Sequence, residues 1–206
     1  MKPVIGLVGG IGSGKTFLAR SLADGHNIVT VEGDAAGHEV LKQDSVKAEI
    51  RREFGEGVFA PDGTINRRAL GRLVFGASPE RQAARARLER IVHPKIEEIL
   101  RQQIAEAQQN PEVEAIILDA AILLEAGWDR LCDSVIFLDV PTEQRLERVQ
   151  QNRGWSFDEF LTREASQLSL ELKRAKADYV VDNSGPPEKA VTQIRQIYSQ
   201  IMDELT

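Results

Sequence analysis

The chain opens on a short apolar run, Pro3-Val4-Ile5-Gly6-Leu7-Val8, closed by glycines. Runs of this length, rich in β-branched residues and without polar alternation, mark strands buried on both faces. Four more follow, at residues 27–31, 115–118, 134–140 and 179–181. Between them the apolar positions fall at helical spacing, and helices are expected over 46–54, over 67–75 and from Pro79 towards Gln109. Strands alternating with helices predict an α/β fold: a five-stranded parallel sheet flanked by helices in three layers. Right-handed crossovers then bring the carboxyl ends of the strands to one edge, where ligands collect.

The strands are unevenly spaced. Residues 34–110 hold no convincing strand and read as a helical insertion, the form a substrate-binding subdomain would take. Pro79 suits a first helical turn, whereas Pro94 disfavours the α region at His93, so a break or kink is expected there. Residues 142–177 carry Arg145, Arg148, Arg153, Arg163 and Arg174 with Lys173 and Lys176. A capping box, Ser156-Phe157-Asp158-Glu159, starts a new helix near Trp155. This segment is either a lid of two helices with a turn at 152–155, or a solvated charged pair. After Gly185-Pro186-Pro187, a stripe of Ala190, Val191, Ile194, Ile197, Tyr198, Ile201 and Leu205 predicts a covering helix. The expected organisation is one domain: a core of about 1–33, 111–141 and 178–206, a helical subdomain of about 34–110, and a lid of about 142–177.

Composition narrows the class. The 206 residues suffice for one sizeable core, and 42% hydrophobic with 28% charged is ordinary for a globular enzyme. A net charge of −6 argues against a broad nucleic-acid surface. The single cysteine, Cys132, excludes an internal disulfide and reads as a small apolar residue. No apolar run approaches the roughly 18 residues of a membrane span. No leader is legible before the first strand. A cytoplasmic protein without membrane or nucleic-acid partners, acting as a monomer on small molecules, is the expectation.

The chemistry begins where the first strand ends. Gly9-Gly10-Ile11-Gly12-Ser13-Gly14-Lys15-Thr16 fits G-x-x-x-x-G-K-[ST], the phosphate-binding P-loop, between a strand and a helix whose first N–H groups lack internal partners. Glycines allow close approach of backbone to phosphate, Lys15 reaches the β- and γ-phosphates, and the Thr16 hydroxyl can ligate Mg²⁺. On the same edge fall Asp34, Asp119 and Asn183. Asp34 can accept or orient an acceptor hydroxyl proton, or cap a helix starting at Ala35. Asp119 stands where an acid would hold Mg²⁺ or its waters, or else ends the strand as a turn residue. The chain has no Asn-Lys pair with which to read guanine, which argues against a GTP switch. A small-molecule kinase remains, against a rival ATP-binding module without turnover.

At this point the chain resembles the dephospho-CoA kinase family. The P-loop block Gly6–Thr16 is followed by Gly33-Asp34, then Asp62-Gly63-x-Ile65-x-Arg67-x-x-Leu70, Val74-Phe75 and Leu88-Glu89-x-Ile91-x-His93-Pro94. After these come Asp119-Ala120-Ala121-Ile122-Leu123-Leu124-Glu125, Arg148, Arg163-x-x-x-Gln167, Lys173 and Ala177-Asp178-Tyr179-Val180-Val181-Asp182-Asn183-Ser184-Gly185. The resemblance implies transfer of the ATP γ-phosphoryl to the ribose 3′-hydroxyl of dephospho-CoA, with Mg²⁺. It implies catalytic roles for Asp34, Lys15 and Arg148. ATP would be bound by Gly10, Ile11, Gly12, Ser13, Gly14, Lys15, Thr16, Arg148, Asn183 and Gly185, the last two near adenine. The acceptor would be bound by Asp34, Arg67, His93, Leu123 and Glu125, and the metal by Thr16 and, through water, Asp119. Another nucleoside or nucleoside-monophosphate kinase is the nearest alternative. The chain departs from the family pattern in three places: Glu32-Gly33-Asp34 for Asp-Ala-Asp, Ala121-Ile122-Leu123 for Pro-Leu-Leu, and one extra residue between Arg148 and Arg153.

Overall fold

A computed structural model describes residues 1–76 and 78–204 and divides into two compact units: Met1–Gly33 with Arg101–Thr206, and Asp34–Leu100. The first holds the sheet. Its strands are β1 (Val4–Gly9), β2 (Ile28–Glu32), β3 (Ala115–Asp119), β4 (Ser134–Asp139) and β5 (Tyr179–Asp182). All pairings are parallel, in the order β2-β3-β1-β4-β5. The chain leaves β1 for one side of the sheet and later returns to the other, so the order reverses at β1. That switch point is where a ligand crevice opens in folds of this kind.

Every residue of β1 is buried, as a continuous apolar run predicts for a central strand. On one face Ile5, Leu7, Ile117, Ile136 and Leu138 pack against Leu18, Ala19 and Leu22 of α1 (Lys15–Ala23) and against the final helix. That helix, Pro187–Glu204, buries Ala190, Ile194, Tyr198 and Ile201, as the stripe predicts; Leu205 lies outside the described residues. On the other face Gly6 leaves no room for a side chain. A Cβ there would lie 2.9 Å from Cys132 Sγ and 3.2 Å from Leu123. Trp128, 1% exposed, packs beside the loop after β3.

Helices α2 (Gly33–Val40), α3 (Asp44–Phe54), α4 (Arg67–Val74) and α5 (Pro79–Gln109) precede β3, and the expected lid after β4 is three helices rather than two: α6 (Thr142–Arg153), α7 (Phe157–Glu164) and α8 (Leu170–Ala175). Gly154, in the left-handed region at φ 66°, ends α6. Ser156 caps α7 by accepting from Glu159 N at 3.2 Å. The capping box is only half closed, because Glu159 spends its carboxylate on Arg163. Ser169 caps α8 in the same way, which the apolar pattern did not reveal.

The second unit is helical. Between Val58 and Asn66 the chain makes a turn around Gly63 (φ 78°), closed by Thr64 N donating to Asp62 Oδ1 at 2.9 Å. Two expectations change here. The helix carrying Asp34 runs Gly33–Val40, so Asp34 lies inside its first turn and is not its cap. An acid there still suits the helix dipole. The long helix, Pro79–Gln109, continues through Pro94 without a break. Proline removes a single N–H, and the burial of Ile96 and Leu100 just beyond it holds the remaining turns.

Candidate active site

The P-loop turns from β1 into α1. Gly12 (φ 80°) and Gly14 (φ 90°) occupy the left-handed region that side chains avoid. Space forbids substitution as well. A Cβ on Gly12 would come within 2.6 Å of the Arg145 carbonyl oxygen, and one on Gly14 within 2.7 Å of Asn183 Nδ2. Two residues missing from any local pattern therefore define the loop from behind.

Asn183, just past β5 and 4% exposed, donates from Nδ2 to the Ser13 carbonyl at 2.8 Å, while its own N–H donates to Asp139 O. Its carbonyl accepts from Arg148 Nη2 at 2.9 Å. Ser13 Oγ is buried and has no hydrogen-bond partner among the described residues. Lys15 Nζ reaches back to the carbonyls of Gly9 and Gly10 at 3.5 Å. Thr16 Oγ1 donates to Asp119 Oδ2 at 2.9 Å, joining the start of α1 to the end of β3. Lys15, Thr16, Asp119, Arg148, Asn183 and the loop glycines are thus brought together within one unit.

The pair Thr16 and Asp119 fits a magnesium ion: both offer hard oxygen donors, and the ion takes few protein ligands beside water and phosphate oxygens. Among the described residues no cluster of three or more His, Cys, Asp or Glu side chains could hold a metal by itself.

Leu123 and Glu125, both expected as acceptor contacts, make contacts within the protein. Leu123 is fully buried against Gly6. Glu125 accepts at Oε1 from Leu168 N and from Lys173 Nζ, both at 2.9 Å, and Lys173 also donates to Gln167. This ties the loop after β3 to α8 and to the segment just before it. Arg153 stacks 5.1 Å from the Trp155 ring, with Arg163 on the same ring at 4.1 Å. Gly185 is exposed after β5.

In the helical unit Asp34 and Arg67 are exposed, and a Cβ on Gly37 would lie 3.6 Å from Ile96, so the Asp34 helix runs close to the helix that carries His93. His93 lines a cleft of about 700 Å³ with Arg87, Glu89 and Arg90. Burial holds its imidazole below the usual histidine value; Glu89 works against this and Arg85 reinforces it.

A family model described as dephospho-CoA kinase matches residues 3–188. The chain belongs to the dephospho-CoA kinase family. It is 35% identical to the dephospho-CoA kinase of Thermobifida fusca over 202 residues, 98% of this chain and 97% of that one. A crystal structure of a Thermus thermophilus protein superposes with a TM-score of 0.77 at 32% identity, covering 100% of this chain and 98% of the other. Dephospho-CoA kinase from Campylobacter jejuni matches at a TM-score of 0.69 and 23% identity over the whole of both chains, which speaks for the fold. The family is one of ATP-using kinases.

Proposed function

We propose that this chain transfers the γ-phosphoryl group of ATP to the ribose 3′-hydroxyl of dephospho-CoA, giving coenzyme A and ADP, with Asp34 accepting the hydroxyl proton. The new bond joins the 3′-oxygen to the γ-phosphorus, and the bond from that phosphorus to the β,γ-bridging oxygen breaks. Charge leaves with ADP, and the proton goes to Asp34. Little covalent chemistry falls to the protein in such a transfer, so positioning and charge dominate. Backbone amides of residues 10–16 cradle the phosphates, Lys15 meets the β- and γ-oxygens, and Arg148 brings lid charge to the transferring group. A magnesium ion held by Thr16 and, through water, by Asp119 would neutralise charge between the β- and γ-phosphates. Adenine lies by the backbone of Asn183 and Gly185, since the Asn183 amide is committed to Ser13. Residues 34–110 form the acceptor subdomain, with Arg67 and His93 as contacts, and 142–177 form the lid. The enzyme works as a cytoplasmic monomer.

The observation that carries the reading is the Thr16–Asp119 hydrogen bond beneath a loop whose glycines cannot be replaced without collision. The test is ADP release with Mg-ATP against dephospho-CoA, adenosine, AMP and no acceptor, in wild type and Asp34→Asn. Dephospho-CoA alone should support turnover. Asp34→Asn should lower kcat by about 10²- to 10⁴-fold with little change in acceptor KM. A rise in KM with kcat unchanged would make Asp34 a binding residue, and turnover with AMP would reassign the subdomain.

A further inference from the structure

Arg145 stands among the arginines of the lid, yet it is 1% exposed and makes no use of solvent. Its guanidinium is shared among four acceptors. Nε donates to Val140 O at 3.1 Å, Nη2 to Thr142 Oγ1 at 2.9 Å, and Nη1 both to Ile11 O at 3.2 Å and to the Glu164 carboxylate. Phe160 lies under it, 5.5 Å from ring centre to Cζ. Glu164 ends α7 and Ile11 is the middle of the P-loop, so a single planar group touches the lid and the phosphate loop together.

The consequence follows from peptide geometry. In a planar trans peptide, C=O and N–H point in opposite directions. Gripping the Ile11 carbonyl from the Arg145 side turns the Gly12 N–H the other way. Asn183 does the same to the Ser13 carbonyl and so to the Gly14 N–H. An ungripped carbonyl at position 11 could rotate towards the phosphates and repel them.

We propose that Arg145 is a positioning residue for ATP, which fixes the Ile11–Gly12 peptide with its N–H towards the phosphates, and that Glu164 latches it there, coupling the end of α7 to the P-loop. The proposal rests on reading residues 9–16 as the triphosphate site. Lysine cannot replace the fork, because one ammonium cannot serve the Val140, Ile11 and Thr142 oxygens in their separate directions.

The test compares Arg145→Lys, Glu164→Ala and Lys15→Ala by steady-state kinetics and by amide hydrogen exchange of residues 9–14. Arg145→Lys should raise the KM for ATP about tenfold or more. Glu164→Ala, which removes a half-buried acceptor and leaves the core intact, should raise it about three- to fivefold. The KM for dephospho-CoA should stay within about twofold in both, since neither residue belongs to the acceptor unit. Exchange of the loop amides should quicken in Glu164→Ala while the β1 and β4 amides hold their protection, a split that a general loss of stability would not give. An unchanged ATP KM and unchanged loop exchange in Glu164→Ala would overturn the proposal, even if Arg145→Lys failed to fold. If Lys15→Ala then shows its expected large loss, only the latch has failed. An ATP KM unmoved by Lys15→Ala would overturn the phosphate-loop reading and the latch with it.

Discussion

Lys173→Met should be among the most damaging substitutions outside the phosphate site. Lys173 is 2% exposed and its partner Glu125 12%, so both charges have left water. Their 2.9 Å contact, with Leu168 N on the same carboxylate oxygen and Gln167 on the ammonium, offsets that cost. Removing only the lysine leaves a carboxylate buried with one backbone donor, and its Oε2 already has no hydrogen-bond partner among the described residues. Breaking a buried pair in this way costs about 3–5 kcal/mol. For a chain of this size each kcal/mol moves Tm by roughly 2–4 °C, so a fall of about 6–20 °C is expected. Methionine roughly keeps the length of the stem, so the loss reports charge rather than volume. The double variant Lys173→Met/Glu125→Gln removes the stranded charge but keeps an acceptor for Leu168 N. It should recover most of the loss, with a coupling of about 2–3 kcal/mol in the double-mutant cycle. Thermal unfolding of the four proteins at neutral pH measures this. A single variant within about 1 kcal/mol of wild type, or additive effects in the double, would refute the claim that this pair pins α8 to the loop after β3.

Two further expectations come from packing and from titration. Gly33→Ala would set a Cβ 2.6 Å from that of Ala120 with Trp128 close behind, so it should cost about 1–3 kcal/mol by thermal unfolding; no loss would show that the β3 loop yields freely. His93 has its folded pKa depressed below 6.5 by burial, so the unfolded chain takes up the proton first as pH falls. Its contribution is present above about 6.5 and is lost as pH drops towards the lower folded value. His93→Gln should therefore flatten the decline in stability between about pH 7 and 5, and equal slopes in the two proteins would contradict the assignment.

The three central strands were legible because they are apolar on both faces, a signal that needs no knowledge of neighbours, whereas the edge strands β2 and β5 are only partly buried. Val4–Gly9, Ala115–Asp119 and Ser134–Asp139 lie within a residue or two of their apolar runs. Burial of Cys132, which pushes its thiol up to about 12, with nearby Asp129, Asp133 and Asp178 adding to the effect, likewise agrees with a plain apolar reading. Signals that depend on partners were lost. The disfavoured conformation before Pro94 is a local preference, and a 31-residue helix overrides it. The loop after β3 kept its apolar wall, but Leu123 proved to belong to the core, because Gly6 opposite it opens a hole that only a neighbouring strand reveals.

The same distinction separates the P-loop as a motif from the P-loop as a structure. Phosphate approach is a reason for glycines on the inner side of the loop. On the outer side the constraint comes from Arg145, 134 residues away in sequence from Ile11, and from Asn183, 170 away from Ser13. An arginine among seven cationic residues in a polar helix pair has the sequence signature of a solvated charge. Phe160 and Glu164 of α7 pack on the guanidinium, which is buried. Each loop glycine thus faces a protein donor or carbonyl behind it, and the amides left over are the ones free to meet an anion. A P-loop match in sequence therefore specifies which backbone can bend. Which way its N–H groups point is decided by distant side chains, and in this chain those side chains belong to α6 and to the turn after the last strand.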